Sequence, residues 1–226
     1  MPHDFPAYPN VFYYFKKWRN DGTWHDVNDA LRRQCRELAG RKPEPTAACI
    51  DSQSIKGTSE SGGQDSGYDG GKKVNGRKRH IATDTMGYLL ASEVHAANLA
   101  DTTMAPSVAL ALFALCPKIA ILFIDAGYKG KFIQWLNENF GIKIEIGKKV
   151  GSGFQVIRKR WVVERTFAWF TRQRRLTRDY ERTTDSSNAM INIAMIRIML
   201  KQLSPVQNPW RKGEIWSPLL NNAVPA

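Results

Sequence analysis

Three acidic residues stand in three different kinds of local sequence: Asp51 in ACIDSQS, Asp125 in ILFIDAGY and Glu164 in RWVVERTFAWF. Carboxylate oxygens are the preferred ligands of hard divalent cations such as magnesium. Two such ions held near each other activate an attacking oxygen and stabilise a leaving one on phosphorus, so few further side chains are needed. Either aspartate alone is explained as well by the start of a turn after a buried strand. For Glu164 the competing explanation is a solvated ion pair with Arg160 or Arg165, worth about 0.2–1 kcal/mol at a surface. The three together, beside the charge of the chain, point to a metal-ion site.

That charge is large. The 226 residues hold 33 Lys and Arg against 21 Asp and Glu, a net charge of +12 and a pI near 9.8. Such a balance is the footprint of a nucleic-acid partner. It is also uneven: residues 143–182 carry twelve basic side chains and four acidic ones. A ribosomal or histone-like binder would be equally basic, but would have no reason to bury a carboxylate such as Asp125 at the end of an apolar strand.

Positioning the acids requires particular elements. Asp51 closes an extended run over 46–50, and Asp125 closes an apolar one over 119–124, which places both carboxylates at strand ends. No Pro or Gly interrupts 154–180, so this stretch reads as a helix. At 3.6 residues per turn Arg160, Trp161, Glu164, Ala168 and Thr171 share one of its faces, while Val163, Phe167 and Phe170 share a face suited to a core.

The surrounding pattern predicts a short helix over 11–20, capped by Asn10 and stopped by Gly22, and a second from Thr23 to Gly40 opened by a Thr23/Asp26 capping box. This pair fits part of a helix-turn-helix or a plain helical pair packed on the core. Residues 57–76 are rich in Gly, Ser and Asp and read as a long loop or loose hairpin. The word KKVNGRKRH follows, in which Lys72, Lys73, Arg77, Lys78 and Arg79 form a phosphate-contacting edge or, failing that, a solvated hairpin tip. Strands over 78–83 and 88–94 flank a turn at Asp84 and Gly87. Helices over 105–115, 132–140 and 187–203 and a strand over 142–146 complete the series, with a Pro-containing extended tail after 204.

The order is three strands, helix, strand, helix, strand, helix, helix, which is that of an RNase H-like fold. The fold class is therefore α/β, an RNase H-like mixed sheet flanked by helices with a short N-terminal helical segment. In that fold the first and fourth strands are neighbours, so Asp51 and Asp125 would meet, and Glu164 would reach them from the next long helix. The expected organisation is a helical segment over 1–42, a catalytic domain over 43–203 and a tail over 204–226.

The stretches FYYFKKWRNDGTW, IDSQSIK, YDGGKKVNGRKRHIATDTMGYLL, DAGYKG and RKRWVVERTFAWFTRQRRLTRDYER closely resemble bacterial insertion-sequence transposases of the DDE class, IS-five type. The resemblance runs from about residue 2 to 203, with several separate words in the right order. It implies that Asp51, Asp125 and Glu164 are the catalytic triad and hold two Mg²⁺ ions, for which Mn²⁺ could substitute. It further implies DNA contacts by Arg160, Arg165, Arg172, Arg174 and Arg175. The partner would be double-stranded DNA, both transposon ends and target, bound by a homodimer in the bacterial cytoplasm at the nucleoid. In the superfamily's tyrosine-arginine-glutamate-lysine signature, Ile157 takes the tyrosine position and Thr171 the lysine position, with Arg172 beside it. Family members carry a further N-terminal DNA-binding segment, and this sequence opens near its end. An RNase H-like nuclease or resolvase without strand transfer, and a truncated element that only binds DNA, are the alternatives.

Other residues invite less. Cys35, Cys49 and Cys116 are odd in number and form no C-x-x-C pair, which speaks against a disulfide framework or zinc ribbon. No basic-then-apolar leader opens the sequence, and the apolar run 190–200 is broken by Asn192 and Arg197, so no membrane association is expected. His80 and His95 lack partners at zinc-ligand spacing and read as core or hairpin histidines. Ser52 and Ser54 have no nucleophile elbow or base around them. Asp84 and Asp101 read as surface-turn acids.

Overall fold

A computed structural model describes residues 4–59, 61, 65–128, 130–147 and 161–204. Its centre is a long antiparallel pair, β1 (Ala47–Lys56) and β3 (Val74–Asp84), in register from Ala48 opposite Asp84 to Lys56 opposite Gly76. On the outer edge of β3 lie β4 (Leu89–Ala96) and the three-residue β2 (Gly67–Asp69). On the other side β1 pairs in parallel with β5 (Ile121–Ile124), and β5 in parallel with β6 (Lys143–Ile146). Helices α3 (Asp101–Leu115) and α4 (Lys131–Phe140) lie between the later strands in sequence. The first strand thus lies beside the one that carries the apolar run before Asp125, the adjacency that the RNase H-like order requires.

Two apolar layers sandwich the sheet. Ala48, Ile50, Leu122 and Ile124 pack with Val108 and Leu112 of α3 and Leu136 of α4. Residues of the opposite parity, Cys49, Ile81 and Phe123, pack with Val163 and Phe167 of α5 (Trp161–Thr171) and Met195 of α6 (Thr184–Leu203). Period-2 alternation therefore sends successive strand side chains to different helices, and both faces are dry.

At the N-terminus α1 (Tyr8–Asn20) and α2 (Thr23–Leu38) are joined at Gly22, whose φ of 84° is the left-handed turn expected of a glycine stop. Pro9, not an Asn10 cap, occupies the first turn of α1. α2 packs against α6, with Cys35 fully buried and its thiol 3.8 Å from the Met199 carbonyl. α1 has no buried residue.

Several boundaries differ from expectation. β1 does not end at Asp51 but continues through Ser52–Lys56 residues, because the backbone ladder to β3 runs on irrespective of side-chain polarity and Ser54 Oγ finds Asp69 Oδ2 at 2.6 Å. The helix predicted over 154–180 is seen as α5 and a short 3-10 turn, Arg174–Leu176, after which Asp179 bridges to Gly57. Residues 154–160 and the tail beyond 204 lie outside the described residues. Asp84 is no surface acid: it is fully buried, 2.5 Å from Arg36 Nη1, and accepts from the Met86 and Tyr88 amides at 2.9 Å. Asp101 begins α3, half-buried, with its Oδ1 2.9 Å from Lys78 Nζ.

Candidate active site

The parallel pairing of β1 and β5 sets Cys49 opposite Phe123. The ladder ends there: Asp51 stands two residues further along β1, and Asp125 is the first residue after β5. Asp51 shares its parity with Cys49 and stands opposite Ile81 in β3. The Asp51 carboxylate therefore belongs to the face covered by α5 and α6. Each aspartate accepts a hydrogen bond from the amide that follows it, Ser52 N to Asp51 Oδ1 at 2.8 Å and Ala126 N to Asp125 Oδ1 at 2.5 Å. Asp51 lies within a strand and Asp125 just beyond one, so two rigid elements hold them.

Glu164 is in the first turn of α5. Val163, Phe167 and Phe170 are buried and Trp161, Glu164, Ala168 and Thr171 are exposed, which is the division of faces that the spacing predicts. The helix packs on β1 and β3. It is pinned at the β3–β4 turn by Thr166 Oγ1 donating to the Gly87 carbonyl at 2.8 Å and Arg165 donating to the Met86 carbonyl at 2.8 Å. Gly87 permits this approach: its φ is +86°, and a Cβ there would lie 2.8 Å from Thr166 Oγ1. Among the described residues no group of three or more His, Cys, Asp and Glu side chains stands close enough to hold a metal ion. The structure thus has Asp51 within β1, Asp125 just past the neighbouring β5, and Glu164 on the exposed side of the helix packed on β1 and β3.

Residues 42–199 match the family described as Transposase DDE domain. The chain belongs to the DDE transposase family. It is 33% identical over 132 residues to a Burkholderia cepacia protein titled "Putative transposase for insertion sequence element IS402", an alignment that covers 52% of this chain. The chain spans 60% of that relative's length. Among solved structures, this DDE-family chain is similar to the HTLV-2 integrase catalytic core domain in complex with magnesium, with 19% identity and a TM-score of 0.42 over 74% of this chain and 92% of that one. It is also similar to the Mos1 strand transfer complex, with 8% identity and a TM-score of 0.38 over 78% of this chain and 58% of that one.

The basic residues of the DDE-family chain divide sharply. Lys72 and Lys73 are exposed at the hairpin tip. Arg77, Lys78 and Arg79, expected on the same phosphate-contacting edge, are instead buried at 1%, 6% and 0% exposure. Their strand is central and covered on both faces, so each cation is turned inward. Arg77 donates to the Glu181 and Arg182 carbonyls at 2.8 and 3.1 Å and lies 3.5 Å from Asp179. Lys78 bonds Leu99 O and Asp101, and Arg79 donates to Leu176 O at 2.7 Å. Arg165 is likewise committed to the fold, its guanidinium over the Trp161 and Trp169 rings at 4.3 and 4.9 Å. Arg172, Arg174 and Arg175 are exposed, Arg175 paired with Glu181, and Arg160 lies outside the described residues.

The sequence offered His80 as a core or hairpin histidine but not its partner, Tyr128, on the α3 side of the sheet. His80 and Tyr128 are buried, joined Nε2 to Oη at 2.9 Å. Burial lowers the His80 imidazole to about 3. The Tyr128 phenol is pushed up by burial and then by the negative charge of Asp51. His95 stacks obliquely on His80, 5.9 Å between ring centres. The signal was present in the strand parity, since His80 shares a face with Ala82 and Ser52.

Proposed function

We propose that this chain catalyses metal-dependent cleavage and strand transfer of DNA at the ends of an insertion sequence of the IS-five type, with residues 43–203 as the catalytic unit. The observation that carries the reading is the parallel pairing of β1, which holds Asp51, with β5, which Asp125 directly follows, within a sequence that belongs to the DDE transposase family. The donor set fits magnesium, with manganese as substitute: Asp51 within β1 and Asp125 just past the neighbouring β5 offer hard oxygens, and Glu164 on α5 would be the third ligand. When bound, such ions supply an activated oxygen nucleophile and charge stabilisation at phosphorus.

The chain's own residues hold and orient. The Ser52 and Ala126 amides fix the two carboxylate planes. The bonds of Arg165 and Thr166 to the β3–β4 turn hold the first turn of α5, from which Glu164 would reach the ions. In the first step a water oxygen bonds to phosphorus, the strand's 3′ oxygen leaves and a proton ends on it. In the second, that 3′-hydroxyl attacks a phosphorus of target DNA and expels another 3′ oxygen. Exposed Lys72, Lys73, Arg172 and Arg174 are the cations that favour a duplex beside the site. The DNA-bound species is read as a homodimer in the bacterial cytoplasm at the nucleoid. Among the described residues no helix is long and apolar enough to cross a membrane.

The test is Asp51→Asn, Asp125→Asn and Glu164→Gln, each of which keeps shape and removes charge. Each should reduce Mg²⁺-dependent cleavage of duplex DNA carrying the element's ends to background while duplex binding is retained. Full cleavage by any one variant would remove that residue from the catalytic set.

A further inference from the structure

The sheet's hydrogen-bonded ladder does not extend to Asp125. Parallel pairing with β1 ends at Cys49 and Phe123, and pairing with β6 ends at Ile124 and Ile146, so Asp125 is the first residue past both ladders. A single 3-10 turn, Ala126–Tyr128, follows, in which the Tyr128 amide donates to the Asp125 carbonyl at 3.1 Å. Gly127 is exposed, with nothing within 4 Å of where a Cβ would stand, so no side chain anchors the middle of the turn, which lies against α3. The next fixed point is the Tyr128 ring, 2% exposed, beside Phe132 and bonded through Oη to His80 Nε2 at 2.9 Å. His80 is fully buried in β3, directly opposite Ser52, the residue after Asp51. The Tyr128–His80 hydrogen bond thus links the turn that follows Asp125 to the strand that neighbours Asp51.

We propose that His80 and Tyr128 are positioning residues for the metal site: their buried bond on the far face of the sheet sets where the Asp125 carboxylate stands relative to Asp51. The pair touches neither DNA nor ion. It acts as partners behind metal ligands do, by fixing ligand orientation, and loss of such partners typically weakens metal binding about ten- to hundredfold. This rests on Asp51 and Asp125 being metal ligands.

The experiment titrates the full chain with Mn²⁺ and reads free ion by its paramagnetic resonance signal, for the unaltered protein, Tyr128→Phe, His80→Phe and His80→Gln. Tyr128→Phe removes one oxygen and leaves the ring packed. Tyr128→Phe and His80→Phe are expected to weaken Mn²⁺ binding about ten- to hundredfold and to raise by the same factor the Mg²⁺ needed for half-maximal cleavage, with the rate at saturating metal little changed. His80→Gln, whose amide reaches the Nε2 position, is expected to bind close to the unaltered protein, and the Tyr128→Phe/His80→Phe double variant no worse than either single one. A purely structural bond would lower the metal-free melting temperature and leave Mn²⁺ affinity alone, and that result, or loss of the fold in Tyr128→Phe, overturns the proposal. Absence of Mn²⁺ binding in the unaltered protein overturns the metal-ligand reading with it, whereas intact binding in both it and Tyr128→Phe sinks the positioning role alone.

Discussion

Replacing Arg77 with Ala separates a cation that serves the fold from one that serves DNA. The Arg77 side chain is 1% exposed and donates to Asp65 O at 3.3 Å, Glu181 O at 2.8 Å and Arg182 O at 3.1 Å, and its ion-pair partner Asp179 is also buried. Its removal leaves three carbonyls without their donor and the Asp179 carboxylate without its cation, although Ser187 Oγ and the Glu181 amide still bond that carboxylate. Breaking a buried pair in this way costs about 3–5 kcal/mol. The matched perturbation is Lys72→Ala with Lys73→Ala, both exposed, where surface substitution should change stability by no more than about 0.5 kcal/mol. If both lysines meet phosphates, the slope of log binding constant against log salt should flatten by about 0.9 for each, roughly 1.8 together. Arg77→Ala should leave that slope unchanged where the protein remains folded. Urea denaturation and duplex-binding titrations over a salt series measure the two quantities. A salt slope flattened by about 0.9 in Arg77→Ala, with the denaturation midpoint unmoved, would show the side chain reaching DNA and refute its assignment to the core.

Two further outcomes follow from the packing. Gly87→Ala should destabilise by about 1–3 kcal/mol, because its φ of +86° is strained for alanine and its methyl meets Thr166 of α5; an unchanged melting temperature would show that α5 is not seated against this turn. His80 is neutral in the folded chain, held down to about 3 against an ordinary 6.5, so the unfolded chain binds its proton first as pH falls. Stability should therefore decline between pH 6.5 and about 3, by up to about 1.4 kcal/mol per pH unit from this group, and be independent of it above that range. Urea midpoints near neutral and mildly acid pH should show the decline shrinking in His80→Gln; an unaltered pH dependence in that variant would place the imidazole in contact with water.

Much of the site was written in one dimension. The apolar run before Asp125 could only be a buried strand, and the glycine-free stretch around Glu164 carried its core face and its polar face in the spacing of Val163, Phe167 and Phe170. Those signals are local, because strand and helix periods dictate which side chains share a face. The adjacency of the strands that lead to Asp51 and Asp125 followed from the element order alone and is realised in the β1–β5 pairing. Residues whose environment is set by distant chain were not legible. A run such as Arg77, Lys78 and Arg79 reads as solvated, because buried cations are rare and need partners; here the partners are carbonyls and carboxylates up to 105 residues away, at Glu181, Arg182, Leu176 and Asp101. Asp84 became a core residue only because Arg36, on a helix 48 residues earlier, closes on it. The polar tail of β1 is a strand because β3 supplies the ladder, and Tyr128 holds its turn because His80 comes up beneath it. Side-chain type and spacing thus determined which residues could do chemistry, while only the assembled sheet, covered on both faces, decided which cations face inward and what holds the aspartates in place.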